Sequence, residues 1–238
     1  MILKVIIYIV YMLIMRTKGL NWWLIKKIKG ELAATEYTFM LYKKWAKFTI
    51  NLLGIDIEIN GSENIPNESC VFVGNHTSIL DIPILINCVG FKLGFISKKE
   101  VLEYPIIGFW LKKGKNVALD RDNVRQGIQA INEGVENVKN GYSMVIFPEG
   151  TRSKTGEILE FKKGSLKLAT KSKSKIVPVY IEKASRFFED NRKFGGGKIK
   201  VNFLKPIDTK VISKEDEKIL SQNIRLLLLE ESKKIKGR

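Results

Sequence analysis

Three short runs constrain the fold most: Cys70-Val71-Phe72-Val73-Gly74, Ser143-Met144-Val145-Ile146-Phe147 and Ile176-Val177-Pro178-Val179-Tyr180. Each is apolar and rich in β-formers, and each reads as a buried strand. Weaker strand patterns occur at Ile55–Ile59, where apolar and acidic residues alternate, and at 92–97, 116–119 and 198–204. Helical stripes lie between them. Val124, Ile128, Ile131, Val135 and Val138 share one face of a helix that Asp122 can cap. A further helix runs through Leu168 and Ala169. The last one is capped by Ser213, with Glu215, Asp216 and Glu217 early and Lys233 and Lys234 late, as the helix dipole prefers. Strands alternating with helices predict an α/β sandwich with a mixed sheet. Pro178 predicts that its strand is an edge or carries a bulge.

His76 is the only histidine in the chain, so imidazole chemistry has one possible address. It follows the first buried run, and Asp81-Ile82-Pro83 can open a helix after it, with Asp81 at the cap and Pro83 in the first turn. Open α/β sheets place their sites in such strand-to-helix turns. Five positions along one helix set side chains roughly 140° apart. If the helix starts only near Asp81, the turn can fold back and bring the carboxylate to the imidazole. A carboxylate on one ring nitrogen fixes the tautomer and leaves the other free to take a proton. Taken by itself, the pair also fits a hydrogen-bonded turn histidine with a capping aspartate.

The 238 residues suffice for one substantial core without disulfides. Cys70 and Cys88 have no framework or metal spacing, which fits a reducing compartment. A net charge of +16 calls for an anionic partner: a phospholipid surface, an anionic substrate or nucleic acid. Residues 1–53 read as a helical membrane-anchoring segment and 54–238 as the α/β domain. Val5 to Met15 is uncharged and apolar but short of the about 20 residues a span needs. Trp22 and Trp23 stand beside Lys26 and Lys27, a pairing suited to a headgroup boundary. Residues 31–53 form an amphipathic helix through Leu41, Trp45, Phe48 and Leu52. Two such helices favour an interfacial anchor, with a short span as the other option and packing on the core as a third. The basic excess after the first segment places the domain on the cytoplasmic face of the cell membrane.

Four stretches together resemble the glycerolipid acyltransferases, the family that includes lysophosphatidate acyltransferase. They are Asn75-His76-Thr77-Ser78-Ile79-Leu80-Asp81; Lys98-Lys99-Glu100 through Pro105 and Gly108 to Leu119-Asp120-Arg121; Phe147-Pro148-Glu149-Gly150-Thr151-Arg152-Ser153; and Val177-Pro178-Val179. Val101 and Leu119 are the two departures, both apolar exchanges. The resemblance covers residues 55–180 in the family's order. It implies acyl transfer from a thioester to an alcohol, with His76 as base and Asp81 as its orienter. It further implies an acceptor site built from Glu149, Gly150, Arg121, Arg152, Lys98 and Lys99. Arg121 is the leading phosphate ligand, since a planar guanidinium binds phosphate oxygens in pairs. Glu149 would meet the acceptor's glycerol portion or hold the loop. Cys70 and Ser78 are present as possible nucleophiles, and no acyl-enzyme is implied.

The implied reaction converts 1-acyl-sn-glycerol-3-phosphate to phosphatidate in phospholipid biosynthesis. The donor is acyl-CoA or acyl-carrier protein, with no cofactor or metal. Glycerol-3-phosphate, another lysophospholipid or a lipid-linked amino acid are rival acceptors. A rival of another class is a non-catalytic basic protein binding membrane or nucleic acid. No nucleic-acid module or basic–aromatic repeat supports nucleic acid as the partner.

Overall fold

The computed structural model describes residues 2–90, 92–120, 123–191 and 194–237. Its strands are β1 (Ile55–Asn60), β2 (Val71–Gly74), β3 (Leu93–Lys98), β4 (Val117–Leu119), β5 (Ser143–Ile146), β6 (Lys175–Ile181), β7 (Gly197–Phe203) and β8 (Ile207–Asp208). They form one sheet in the order β1-β7-β6-β2-β5-β3-β4, with β8 beside β6. The sheet is mixed, as the alternation of strands and helices predicts: β6 runs antiparallel to β7 and β8, and the other pairings are parallel. The helices are α1 (Ile2–Leu53), α2 (Asp81–Val89), α3 (Ile107–Leu111), α4 (Val124–Lys139), α5 (Lys167–Ser172) and α6 (Lys214–Lys236).

Alternation along the strands sorts the core into two layers. Phe72, Val145, Val177 and Val179 face α1 and α2, where they meet Ala34, Leu41, Ile50, Ile84 and Leu85. Val71, Val73, Met144, Ile146 and Ile176 face the other way, onto Val135 and Val138 of α4, Leu168 of α5 and Ile224 and Leu228 of α6. With helices on both faces, the central strands are buried throughout, which is why they read as unbroken apolar runs rather than as alternating ones.

α1 is a hairpin rather than one rod. Gly30 has φ 85° and ψ 177°, a backbone conformation open in practice to glycine alone, and there the helix folds back on itself. The Trp45 indole donates to the Tyr8 hydroxyl at 3.0 Å, and Tyr11 stacks on Phe48 at 3.6 Å between centroids. The second arm, from Ala34 to Leu53, belongs to the same core as the sheet. The first arm is tied to α3 by the Trp110 indole, which donates to the Met15 carbonyl at 3.2 Å. No helix among the described residues is long and apolar enough to cross a membrane, so the short span expected as one option is not met. Arg16 and Lys18 cut off the apolar stretch too early.

Three local expectations need correcting. β6 is interior, flanked by β2 on one side and by β7 and β8 on the other, although it contains Pro178. The Pro178 carbonyl accepts from Leu204 N, so its imide nitrogen points to that same side. There β8 covers Lys175 and Ile176 while β7 covers Val179 to Ile181, and the missing donor falls in the gap between them. Next, α4 is capped by Asn123, whose side chain accepts from Gln126 N at 3.0 Å; Asp122, the expected cap, lies outside the described residues. Lastly, Asp81 is the first residue of α2 and not its cap, and its carboxylate turns back into the preceding turn. Ser213 does cap α6, accepting from Asp216 N at 3.0 Å.

Candidate active site

β2 and β5 are parallel neighbours, and the turns at their carboxyl ends meet. His76 leaves β2 two residues after Gly74, and Phe147 leaves β5 directly after Ile146. The imidazole lies flat on the Phe147 ring, with centroids 4.1 Å apart and planes within 11°. Its Nδ1 is 2.8 Å from Asp81 Oδ2. Asp81 is fully buried, while the His76 side chain keeps 18% exposure. The same Asp81 oxygen accepts from Thr77 N at 2.8 Å and Ser78 N at 2.9 Å. Asp81 Oδ1 is buried with no hydrogen-bond partner among the described residues. The oxygen that faces the ring is thus oriented by two backbone donors, and low dielectric strengthens such hydrogen bonds.

The turn is held from outside as well. Asn75 bridges to β6 through its side chain, donating to the Ile181 carbonyl at 2.8 Å and accepting from Ile181 N at 2.9 Å. Thr77 Oγ1 accepts from Ala184 N. The His76 carbonyl accepts from Ser153 N at 2.8 Å. Glu149 Oε1 accepts from His76 N at 2.8 Å, and its Oε2 accepts from Leu159 N at 3.1 Å. Burial pushes the Glu149 carboxyl above its usual range, and these two amides act the opposite way. Glu149 thus ties the His76 turn to the loop at Leu159, one of the two roles the sequence offered. Gly150 follows at φ 70°, and a side chain there would press on Lys162 as well as strain the backbone.

One holder of the turn escaped the sequence reading. Glu189, from the segment after β6, accepts from the Ser78 hydroxyl at 2.6 Å, from Ile79 N at 2.8 Å and from Arg152 at 3.2 Å. No motif contains it and no local spacing ties it to His76. Leu80 N in turn donates to Ser78 Oγ. Every backbone N–H from His76 to Leu80 thus has a named acceptor. These backbone groups therefore offer no spare donor to a developing oxyanion.

Of the basic candidates, Arg152 joins this network through Glu189. Lys98 ends β3 at the same edge of the sheet and pairs with Glu100 at 2.9 Å; Lys99 pairs with Asp120 at 2.6 Å. Both are about half exposed, as is Arg152. Arg121 lies outside the described residues. The candidate nucleophiles do not fit covalent catalysis. Burial pushes the Cys70 thiol up to about 12, so it stays protonated at neutral pH. Ser78 is fully buried and its hydroxyl is held between Glu189 and Leu80 N.

Comparison with known proteins adds four findings. A family model described as Acyltransferase matches residues 56–182. A 1-acyl-sn-glycerol-3-phosphate acyltransferase of Saccharomyces cerevisiae is 33% identical over 188 residues, covering 77% of this chain and 62% of its own. One of Borreliella burgdorferi is 30% identical over 201 residues, covering 84% of this chain and 80% of its own. The crystal structure of the 1-acyl-sn-glycerophosphate (LPA) acyltransferase PlsC from Thermotoga maritima superimposes with a TM-score of 0.81 at 28% identity, covering 100% of this chain and 96% of that one.

Proposed function

Because the chain belongs to the acyltransferase family, we propose that it moves a fatty acyl group from a thioester to the free hydroxyl of 1-acyl-sn-glycerol-3-phosphate, giving phosphatidate. The observation that carries this reading is the His76–Asp81 pair, 2.8 Å apart and stacked on Phe147. With Nδ1 turned to the carboxylate, Nε2 accepts the proton of the acceptor hydroxyl as its oxygen attacks the thioester carbonyl. A tetrahedral oxyanion forms. Its collapse breaks the carbon–sulfur bond, and the leaving thiolate takes the proton back from the imidazolium. No covalent enzyme intermediate enters, in keeping with the state of Cys70 and Ser78.

The acceptor phosphate is assigned to Arg121 first, supported by Lys98, Lys99 and Arg152. Replacing Arg121 by alanine should raise the acceptor KM several-fold and leave the donor KM unchanged, because the phosphate is present in ground and transition states alike. An equal effect on a phosphate-free acceptor would count against the assignment.

The protein is further proposed to lie on a phospholipid surface, on the cytoplasmic face of the cell membrane, through the first arm of α1. Ile6, Ile9, Val10, Leu13, Leu20 and Trp23 of that arm are all exposed. Basic groups border it: Arg16 stacks over Phe109 at 3.9 Å, and Lys113 lies 3.5 Å from the Trp22 ring centroid. Burial, with Lys26 and Arg16 nearby, holds Lys113 below the usual lysine range. Such a face lies in the headgroup region rather than across the bilayer.

The test is an acyl-transfer assay with acyl-CoA and acyl-carrier protein, each against lysophosphatidate, glycerol-3-phosphate and other lysophospholipids. Transfer to lysophosphatidate above the rest is the expected result. Faster transfer to glycerol-3-phosphate would move the assignment to that acceptor. No transfer to any of them, with retention on nucleic acid, would favour the non-catalytic alternative.

A further inference from the structure

Glu189 lies beyond the segment 56–182 that the family model matches, yet it bonds to two of the chain's motifs at once. One oxygen, Oε2, accepts from the Ser78 hydroxyl; the other, Oε1, accepts from both Ile79 N and Arg152 Nη1. Its own segment is firmly seated. Ala184 N donates to Thr77 Oγ1, Phe188 N and Asp190 N donate to the Ser185 carbonyl, and Lys183 pairs with Asp190 at 2.7 Å. The carboxylate thus stands on a braced support and grips the His76 turn at the Ser78 hydroxyl and Ile79 N, next to the amides that Asp81 holds. Hydrogen bonds to a charged acceptor are the stronger kind, and the Glu189 side chain is only 24% exposed.

We propose that Glu189 is a positioning residue for acyl transfer. By holding Ser78, Ile79 and Arg152 together, it sets the His76 base and the Arg152 guanidinium in one relative geometry. The proposal rests on the acyltransferase reading and on His76 as its base. Asp81 fixes the ring, Glu149 fixes the backbone before it, and Glu189 fixes the backbone after it. Ser153 N and Glu149 already tie the loops of His76 and Arg152 through the His76 backbone. Glu189 adds a hold on the Arg152 side chain and on the turn after His76, and small misplacements of reacting groups are costly.

The experiment compares Glu189→Ala and Glu189→Gln in the full chain, with kinetics for both substrates and NMR of the single imidazole. Glu189→Ala should lower kcat roughly 10- to 100-fold, the scale of a misplacement of about 1 Å. The donor KM should stay put and the His76 ring signal should move. Glu189→Gln can still accept from Ile79 N and donate to Ser78 Oγ, so most of kcat should return. It has no charge to hold Arg152, so the acceptor KM should remain raised. An unchanged kcat and ring signal in the folded alanine variant would overturn the proposal. So would wild-type values of both kcat and acceptor KM in the glutamine variant, which decides the matter alone if the alanine variant does not fold. His76→Ala serves as a separate control. If it keeps acyl transfer, the base assignment has failed, whatever Glu189 does.

Discussion

The His76 turn and the first arm of α1 depart from ordinary protein surfaces and interiors in opposite directions. At the turn, Asp81 and Glu149 are buried carboxylates, at 0% and 1% exposure. On the arm, Ile2, Leu3 and Leu20 are exposed at 68% or more. Buried charge and a broad exposed apolar face are the two observations that ask for an explanation; a lone exposed leucine does not. The contrast teaches how each is tolerated. Asp81 and Glu149 are held by backbone N–H groups, so their bonds come from the protein itself and stay fixed when water is excluded. The exposed face of the first arm is left uncovered by the described residues, and its complement is the proposed lipid surface. One region is pre-organised by its own chain, and the other would be completed from outside by the lipid proposed for it.

The largest effect expected tests the turn. His76→Ala should cost about 10²–10⁴-fold in kcat, the usual contribution of a general base, with the fold intact. As the chain has one histidine, diethyl pyrocarbonate should inactivate the wild type with the loss of a single imidazole, and saturating acceptor should slow that loss. Near-normal transfer by the variant would reduce His76 to a turn residue.

The next test concerns the arm. The second arm of the hairpin is core, so truncation would confuse anchoring with unfolding. Surface substitutions avoid this. Ile6→Ser, Ile9→Ser and Leu13→Ser combined should weaken binding to anionic phospholipid vesicles about 10²-fold or more, since each full side-chain burial is worth ~1.5–3 kcal/mol. Turnover of a water-soluble acceptor should barely change. Unaltered vesicle binding would remove the contrast between the two regions.

The smallest effect returns to Glu149, whose folded carboxyl titrates above its unfolded value because burial disfavours the charge. The sign follows by linkage. The folded state holds this proton more tightly, so the group's stabilising contribution is full below the unfolded value of about 4.3 and is lost as pH rises through the higher folded value. The wild type should therefore lose stability relative to Glu149→Gln across that window, read as Tm against pH for both proteins. A difference that stays flat or grows in the other direction would mean that the amides from His76 and Leu159 outweigh burial.

Much of the secondary structure was legible in advance because it rests on short-range pattern. The apolar runs marked β2, β5 and β6, and the stripe from Ile128 to Val138 marked α4. Ser213 announced the start of α6. The spacing from His76 to Asp81 already contained the condition for their meeting, a helix that begins at Asp81 and no earlier. β8 was missed, for Ile207–Asp208 is too short to show any period.

The residue order already gave imidazole chemistry a single address, since the chain contains one histidine and sets it in a strand-to-helix turn beside a carboxylate. It also determined the α/β class, because buried strands and amphipathic helices write their periods into neighbouring residues. Strand order was decided by the tertiary structure alone. β7 sits between β1 and β6, and β6 stays interior around Pro178 only because two separate neighbours leave a gap at its imide nitrogen. The partners of Glu149 and Glu189 were also decided there. Glu149 meets His76 N from 73 positions away and Glu189 meets Ser78 from 111, separations at which helix and strand periods carry no information. Periodicity reaches as far as one element's own geometry; a buried carboxylate's choice of amide depends on which strand ends the completed sheet brings side by side.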